Sequence, residues 1–302
     1  MNAGRSCPIA YRYGAAAIAR APAIHAETLY VIGGLYGNPF ALRTLIDMAS
    51  REAGPVRLCF NGDFNWFNAD DAGFRAINEY VLQHDAIVGN VEYEFRNPLD
   101  DAGCGCAYPD SVDQGVVERS NRIHARLKHR AARHPDLLAQ LAALPLYARY
   151  QVGDCRVGIV HGDADSLAGW HFDPAELDRA EALPDIQRCF AQAQVDVFAS
   201  SHTCSAGLRR FTLKTGEGLI ANNGAAGMRN FQDVSGGLLT RISTTPSPHP
   251  VLQEERIAGV CVAALPIAFD SDAWQAYFLS QWPPGSDAYN SYFTRIQSGP
   301  ML

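Results

Sequence analysis

Four polar residues stand just behind four apolar runs. Asp63 follows Gly62 and "VRLCFN" (56–61), Asn90 follows Gly89 and "AIV" (86–88), His161 follows "RVGIV" (156–160), and His202 follows Ser201 and "VDVFAS" (195–200). Short apolar runs bounded by turn residues read as buried strands, and open α/β sheets hold their ligands at the carboxyl ends of strands. One carboxylate, one amide oxygen and two imidazoles suit a single divalent transition ion of hard-to-borderline character, Zn, Mn or Fe. Taken singly, Asp63 and Asn90 serve a turn equally well and each histidine a satisfied core position. Four such residues at matching strand ends point instead to one centre.

Glu92, His171 in "GWHF" and Arg229 in "GMRNF" are further candidates, for substrate contact. Glu92 reads as an acid, as a partner of the ligand residues or as an ion-paired carboxylate, and the other two also suit structural loop positions. "GCGC" places Cys104 and Cys106 one residue apart, a spacing that rarely bridges, so the pair is either a loop or a soft-metal chelate. The remaining cysteines, at 7, 59, 155, 189, 204 and 261, are scattered, and free thiols are expected. "RSNRIHARLKHRAARH" carries six Lys or Arg and three His in sixteen residues. It reads either as a face for a phosphate-bearing partner or as a solvated helix balanced by Asp100, Asp101, Asp110 and Asp113 upstream.

These residues need elements to position them. Beyond the four runs above, strands are expected at 29–32, 218–222 and 237–243, with helices at 39–53, 73–84 and 184–193. In "LYVIGGLYGNPFALRTLIDMA" (29–49) a strand breaks at Gly33 and Gly34, and Asn38 and Pro39 supply an N-cap and a first helical residue. Residues 112–144 read as a helical segment broken at Pro135, and the stretch beyond "TTPSPHP" (244–250) as one more strand, "VCVAALPI", with two helices. Alternation of strands and helices predicts a layered α/β protein. The aromatic-rich "CPIAYRYG" and "QWPPGSDAYNSYF" are expected to pack over the core or to close one end of a cleft.

The chain has 302 residues, is 47% hydrophobic and carries a formal charge of −7. That charge argues against nucleic-acid or anionic-membrane partners. No apolar run reaches the ~18 residues of a membrane span, and no long apolar leader forms near the N-terminus. A soluble, cytoplasmic protein is expected, with its oligomeric state open.

Further stretches extend the pattern: "GGLYGN" (33–38), "GDFNWF" (62–67), "GNVE" (89–92), "VHGD" (160–163), "SHTC" (201–204) and "NNGAAGM" (222–228). In order and spacing this series resembles the calcineurin-like metallophosphoesterases, with motifs G-D-x-H-G-N, G-D, G-N-H-[DE], a lone His and G-H-x-H. The resemblance implies a four-layer αββα sandwich of two mixed sheets. It covers a core at 28–243, with a helical insertion near 110–145, an arm at 1–27 and an extension at 244–302 packed on the core.

It also implies two metal sites sharing Asp63, and here the two differ. The second site's set is whole: Asp63, Asn90, His161 and His202. Positions that would hold the first metal carry Gly34, Tyr36 and Cys204, and Val91 stands where the family's proton donor would be. The implied activity is a metal-dependent phosphoesterase-like hydrolase acting on a small phosphorylated metabolite through one metal-bound water. Two alternatives stay open: a non-catalytic module that binds a phosphorylated ligand, and a centre rebuilt from Tyr36, Cys204, Cys104 and Cys106 with other chemistry.

Overall fold

In the computed structural model, the short apolar runs become strands of two six-stranded sheets that face each other between helices. Residues 3–97 and 101–300 are described, so Asp100 lies outside them. In chain order the strands are β1 (Ala23–Ala26), β2 (Thr28–Ile32), β3 (Val56–Asn61), β4 (Asp85–Ile87), β5 (Tyr147–Val152), β6 (Cys155–Val160), β7 (Val197–Ser200), β8 (Gly207–Leu213), β9 (Gly216–Asn222), β10 (Gly237–Ser243), β11 (Gln253–Ile257) and β12 (Val260–Ile267). The α-helices are α1 (Ala15–Arg20), α2 (Pro39–Ser50), α3 (Asp71–Val81), α4 (Asn90–Phe95), α5 (Gln114–Ala131), α6 (Pro135–Ala142), α7 (Pro174–Leu177), α8 (Leu183–Ala193), α9 (Ser271–Gln281) and α10 (Asp287–Ser298).

One sheet has the order β11-β12-β10-β2-β3-β4 and the other β1-β5-β6-β7-β9-β8. Both are mixed: β2, β3 and β4 run parallel, as do β6, β7 and β9, while the outer pairings are largely antiparallel. Between the sheets lie alternate residues of facing strands, among them Leu29, Val31, Val157, Ile159, Val197 and Ala199, all fully buried. The period of two in a strand puts this set inward and hands the next residues to the outer helices. Each such side chain contributes roughly 1.5–3 kcal/mol on burial. Helices α2, α3, α9 and α10 share a core on the outer face of the first sheet, and α1 and α8 on that of the second. The result is the expected four-layer α/β sandwich.

The structure adds what the sequence reading left out. β1, β5, β8 and β11 were not expected, and the chain beyond residue 244 adds two strands, β11 and β12, to the first sheet. The helical segment divides at 132–134, with Pro135 opening α6 rather than interrupting a helix. Among the described residues, charges of the basic run are spent on neighbouring elements rather than left as a free face. Arg122 pairs with Asp287 of α10 at 2.7 Å, Arg126 lies over the Trp282 ring at 4.1 Å, and Arg133 and His134 both reach Asp71 at 2.9 Å. Its charges hold α5 against α3 and the C-terminal helices.

Candidate metal centre

The parallel strands of both sheets end at the same edge, and each hands one polar side chain to a common point. Asp63 (8% exposed), Asn90 (0%), His161 (0%) and His202 (8%) meet there. His161 Nε2 lies 3.0 Å from Asn90 Oδ1, 3.3 Å from Asp63 Oδ2 and 3.3 Å from His202 Nδ1. Tetrahedral ligands about 2.05 Å from an ion sit roughly 3.3 Å apart, so these separations are those of a ligand set.

Each ligand is oriented from behind by the main chain. The Nδ1–H of His161 donates to the Asn61 carbonyl at 2.8 Å, which leaves its Nε2 lone pair facing the others. His202 Nε2–H donates to the Cys106 carbonyl at 2.9 Å, and Asn90 Nδ2–H to the Cys104 carbonyl at 2.9 Å. Asp63 Oδ1 accepts from the Val91 N–H at 3.2 Å, freeing Oδ2. Partners of this kind fix the ligand atom and the tautomer together. With His161 neutral, four acceptor atoms converge, and the donor chemistry fits a divalent cation.

Electrostatics agree. Burial opposes ionisation of Asp63, but His161, His202 and the Val91 N–H outweigh it and hold the carboxyl below its usual range. Burial likewise works against a charged His161, yet Asp63 raises its pKa on balance. Burial, with His161 beside it, pushes His202 down to about 4. At neutral pH the centre thus offers a carboxylate and a neutral imidazole.

The approach of the loops is tight. Asp63 has φ 53°, in the left-handed region, and a Cβ at Gly89 would lie 2.3 Å from Asp63 Oδ1. Glycine at 89 is what lets α4 begin so close to the ligand loop.

Glu92 does not line the cavity over the centre. Its carboxylate, 2% exposed, accepts from the N–H of Asp63 at 2.9 Å, of Gly89 at 3.3 Å and of Asn65 at 3.0 Å, and from Asn65 Nδ2 at 3.2 Å. Burial, then Asp63, pushes its pKa up to about 7 against those donors. Glu92 thus pins the loop that carries Asp63. His171 is also elsewhere: its ring is 71% exposed and bonds Asp163 at 3.0 Å, which raises its pKa to about 9. Arg229 does not line the cavity above the centre, and its Nε is buried with no hydrogen-bond partner among the described residues.

The first-site positions are filled by packing. Tyr36 is 3% exposed, and its Oη lies 2.6 Å from Cys204 Sγ. A Cβ at Gly34 would fall 2.3 Å from the Tyr36 ring, so the phenol occupies the space a side chain at 34 would need. Burial raises the pKa of both Tyr36 and Cys204, so they meet as a neutral phenol and thiol. The side chains whose ligand atoms lie within 4.8 Å of one another here are Asp63, His161 and His202, with no cysteine among them. Cys104 and Cys106 serve through their carbonyls, and burial keeps the Cys106 thiol protonated.

The turn before α2 is likewise closed on itself. Asn38 caps the Phe40 and Ala41 N–H groups at 3.0 Å and donates to the Gly227 carbonyl at 3.1 Å, as its N-cap reading implies.

A cavity of about 220 Å³ opens over Asp63, Asn90 and His202. Trp66, Tyr108, Trp170, Tyr292 and Arg295 line it, none of them singled out in the sequence. Tyr292 and Arg295 share one face of α10 at a spacing of three, the signal that sequence could have carried. The C-terminal aromatic stretch does close one end of the cleft.

No protein-family model matches the chain, and no curated protein matches it. Solved structures do. The crystal structure of a metallophosphoesterase from Sphaerobacter thermophilus is 17% identical, with 91% of this chain and 100% of that one covered at a TM-score of 0.54. That of a hypothetical protein from Pyrococcus horikoshii OT3 is 12% identical, with 92% and 100% covered at a TM-score of 0.57. The fold is that of a calcineurin-like metallophosphoesterase. At such identities the likeness is one of architecture, and at the strand ends Asp63, His161 and His202 form a group that could hold a metal ion.

Proposed function

We propose that the protein is a divergent, metal-dependent phosphoesterase-like hydrolase acting on a small phosphorylated metabolite, with one divalent transition ion (Zn, Mn or Fe) held by Asp63, Asn90, His161 and His202. One observation carries this reading: four acceptor atoms converge, and each is fixed from behind by a main-chain group. When bound, such an ion polarises a phosphoryl oxygen and lowers the pKa of a water. The chain's own residues do the rest. Asp63 would supply the negative charge of the ligand set, His202 a neutral imidazole and His161 an Nε2 on which the ion would replace the proton that Asp63 favours, and Glu92 keeps the Asp63 loop in place. Trp170, whose Nε1–H donates to the Cys106 carbonyl at 3.0 Å, walls the cavity beside His202. Val91, 1% exposed, brings no proton donor, which favours substrates whose leaving group departs without help.

The eight unpaired cysteines support a reducing, cytoplasmic setting. The charge of −7 favours a small-molecule substrate over nucleic acid or membrane.

A panel of phosphomonoesters and phosphodiesters, assayed with Mn, Zn, Fe and Ni, tests the reading. Weak hydrolysis that vanishes in Asp63→Asn is expected. Silence with every metal and substrate would replace it with a non-catalytic module that binds a phosphorylated ligand in the same cavity.

A further inference from the structure

Arg295 stands on α10, far along the chain from every ligand, yet lines the same cavity as Asp63, Asn90 and His202. Its Nη2 donates to the Cys204 carbonyl at 2.8 Å and its Nε to the Arg229 carbonyl at 3.3 Å. Among the described residues it makes no ion pair, whereas Arg122 on neighbouring α5 pairs with Asp287 of α10. A guanidinium that is partly buried, aimed by two carbonyls and left without a carboxylate has its charge unspent. Its planar fork matches the oxygens of a phosphoryl group.

The side of the cavity matters. Arg295 bonds the carbonyl of Cys204, the residue whose thiol meets Tyr36, so its charge sits beside the phenol and thiol that fill the first-site positions. It lines the cavity together with Asp63, Asn90 and His202. Beside Val91, Val116, Thr203 and Met228, four aromatic rings line the wall: Tyr108 and Trp170 lie with ring centroids 5.9 Å apart, Trp66 and Tyr292 6.1 Å apart. Such surfaces take up flat organic groups by stacking.

We propose that Arg295 is a substrate-binding residue that grips phosphoryl oxygens from the side of Tyr36 and Cys204, and that the substrate's organic group is a planar or aromatic ring laid against Trp66, Tyr108, Trp170 and Tyr292. This rests on the phosphoester reading above and narrows its substrate class. The charge of a second ion is replaced by one fixed on the protein.

Calorimetric titration with inorganic phosphate and with phenylphosphonate tests it, on wild type, Arg295→Gln and Arg295→Lys, each chelated and Mn-loaded. In the loaded protein, Arg295→Gln is expected to weaken both probes roughly 10- to 100-fold, the worth of a charged hydrogen-bonded pair. Arg295→Lys should recover part of that loss, and wild type should bind phenylphosphonate more tightly than phosphate. Thermal melts and Mn content of each variant separate this from a loosened α10. Unchanged binding in Arg295→Gln, with loading still tightening wild type, overturns the role of Arg295 and leaves the metal reading standing. An Arg295 effect of equal size with and without Mn, and no effect of loading, overturns the metal reading while Arg295 survives. Equal affinity for the two probes overturns the aromatic substrate class.

Discussion

Two regions a few residues apart have met opposite fates. At Asp63, Asn90, His161 and His202 every side chain keeps an acceptor atom free and aimed at its neighbours, because a backbone group satisfies its other end. At Gly34, Tyr36 and Cys204 the polar atoms satisfy one another, with a phenol 2.6 Å from a thiol and its ring packed where a side chain at 34 would go. The difference teaches that a metal site is recognised by unspent lone pairs held in place, not by the mere presence of polar residues near strand ends. Phe67, at 5.8 Å from Tyr36 by ring centroid, and Met228 show the second region continuing into ordinary core.

The comparison can be broken at its supports. The largest effect is expected from Glu92→Gln. All four groups around this carboxylate are N–H donors, so an amide must set an NH₂ against one of them. The variant should lose about 1–3 kcal/mol in denaturant melts and bind metal roughly 10- to 100-fold more weakly, the usual cost of disturbing a ligand's orienting partner. Unaltered affinity would show that Asp63 needs no such support.

On the other side, Gly34→Ala forces a Cβ against the Tyr36 ring and should cost about 1–3 kcal/mol of stability as overpacking, with metal content unchanged. In a Tyr36→Ala background the same substitution should cost markedly less, and thermal melts of the four proteins measure that coupling. Additive costs would mean the ring is not what fills the space. The smallest effect belongs to Cys204→Ser, for which equal metal content and equal alkylation of the remaining thiols with and without chelator are expected. A lost ion would make the thiol a ligand and erase the contrast.

Much of the retained site was legible because a polar residue directly behind a wholly buried run has few other places to point. Asp63, Asn90, His161 and His202 follow such runs, and the glycines at 62 and 89 announce the tight turns. The unexpected strands hide for the converse reason. β8 ("GLRRFTL") and β11 ("QEERI") are edge strands with charged residues on an open face, and β5 ("YARYQV") is only half buried. Their pairing comes from neighbours, not from their own composition. Glu92 and the C-x-C pair each carry a chemical and a structural reading in the sequence, and what decides between them, a carboxylate accepting backbone N–H groups and two main-chain carbonyls, is encoded by no side-chain pattern. Arg295 was invisible for a third reason: its partners are brought together only when α10 folds back over the cavity.

The central claim is that one site is intact and the other is filled. Elemental analysis of the protein purified without chelator measures it directly. About one transition-metal ion per chain is expected, lost in His161→Ala and in His202→Ala and unaffected by Cys204→Ser. Two firmly bound ions per chain, or one that survives both histidine substitutions, would contradict it.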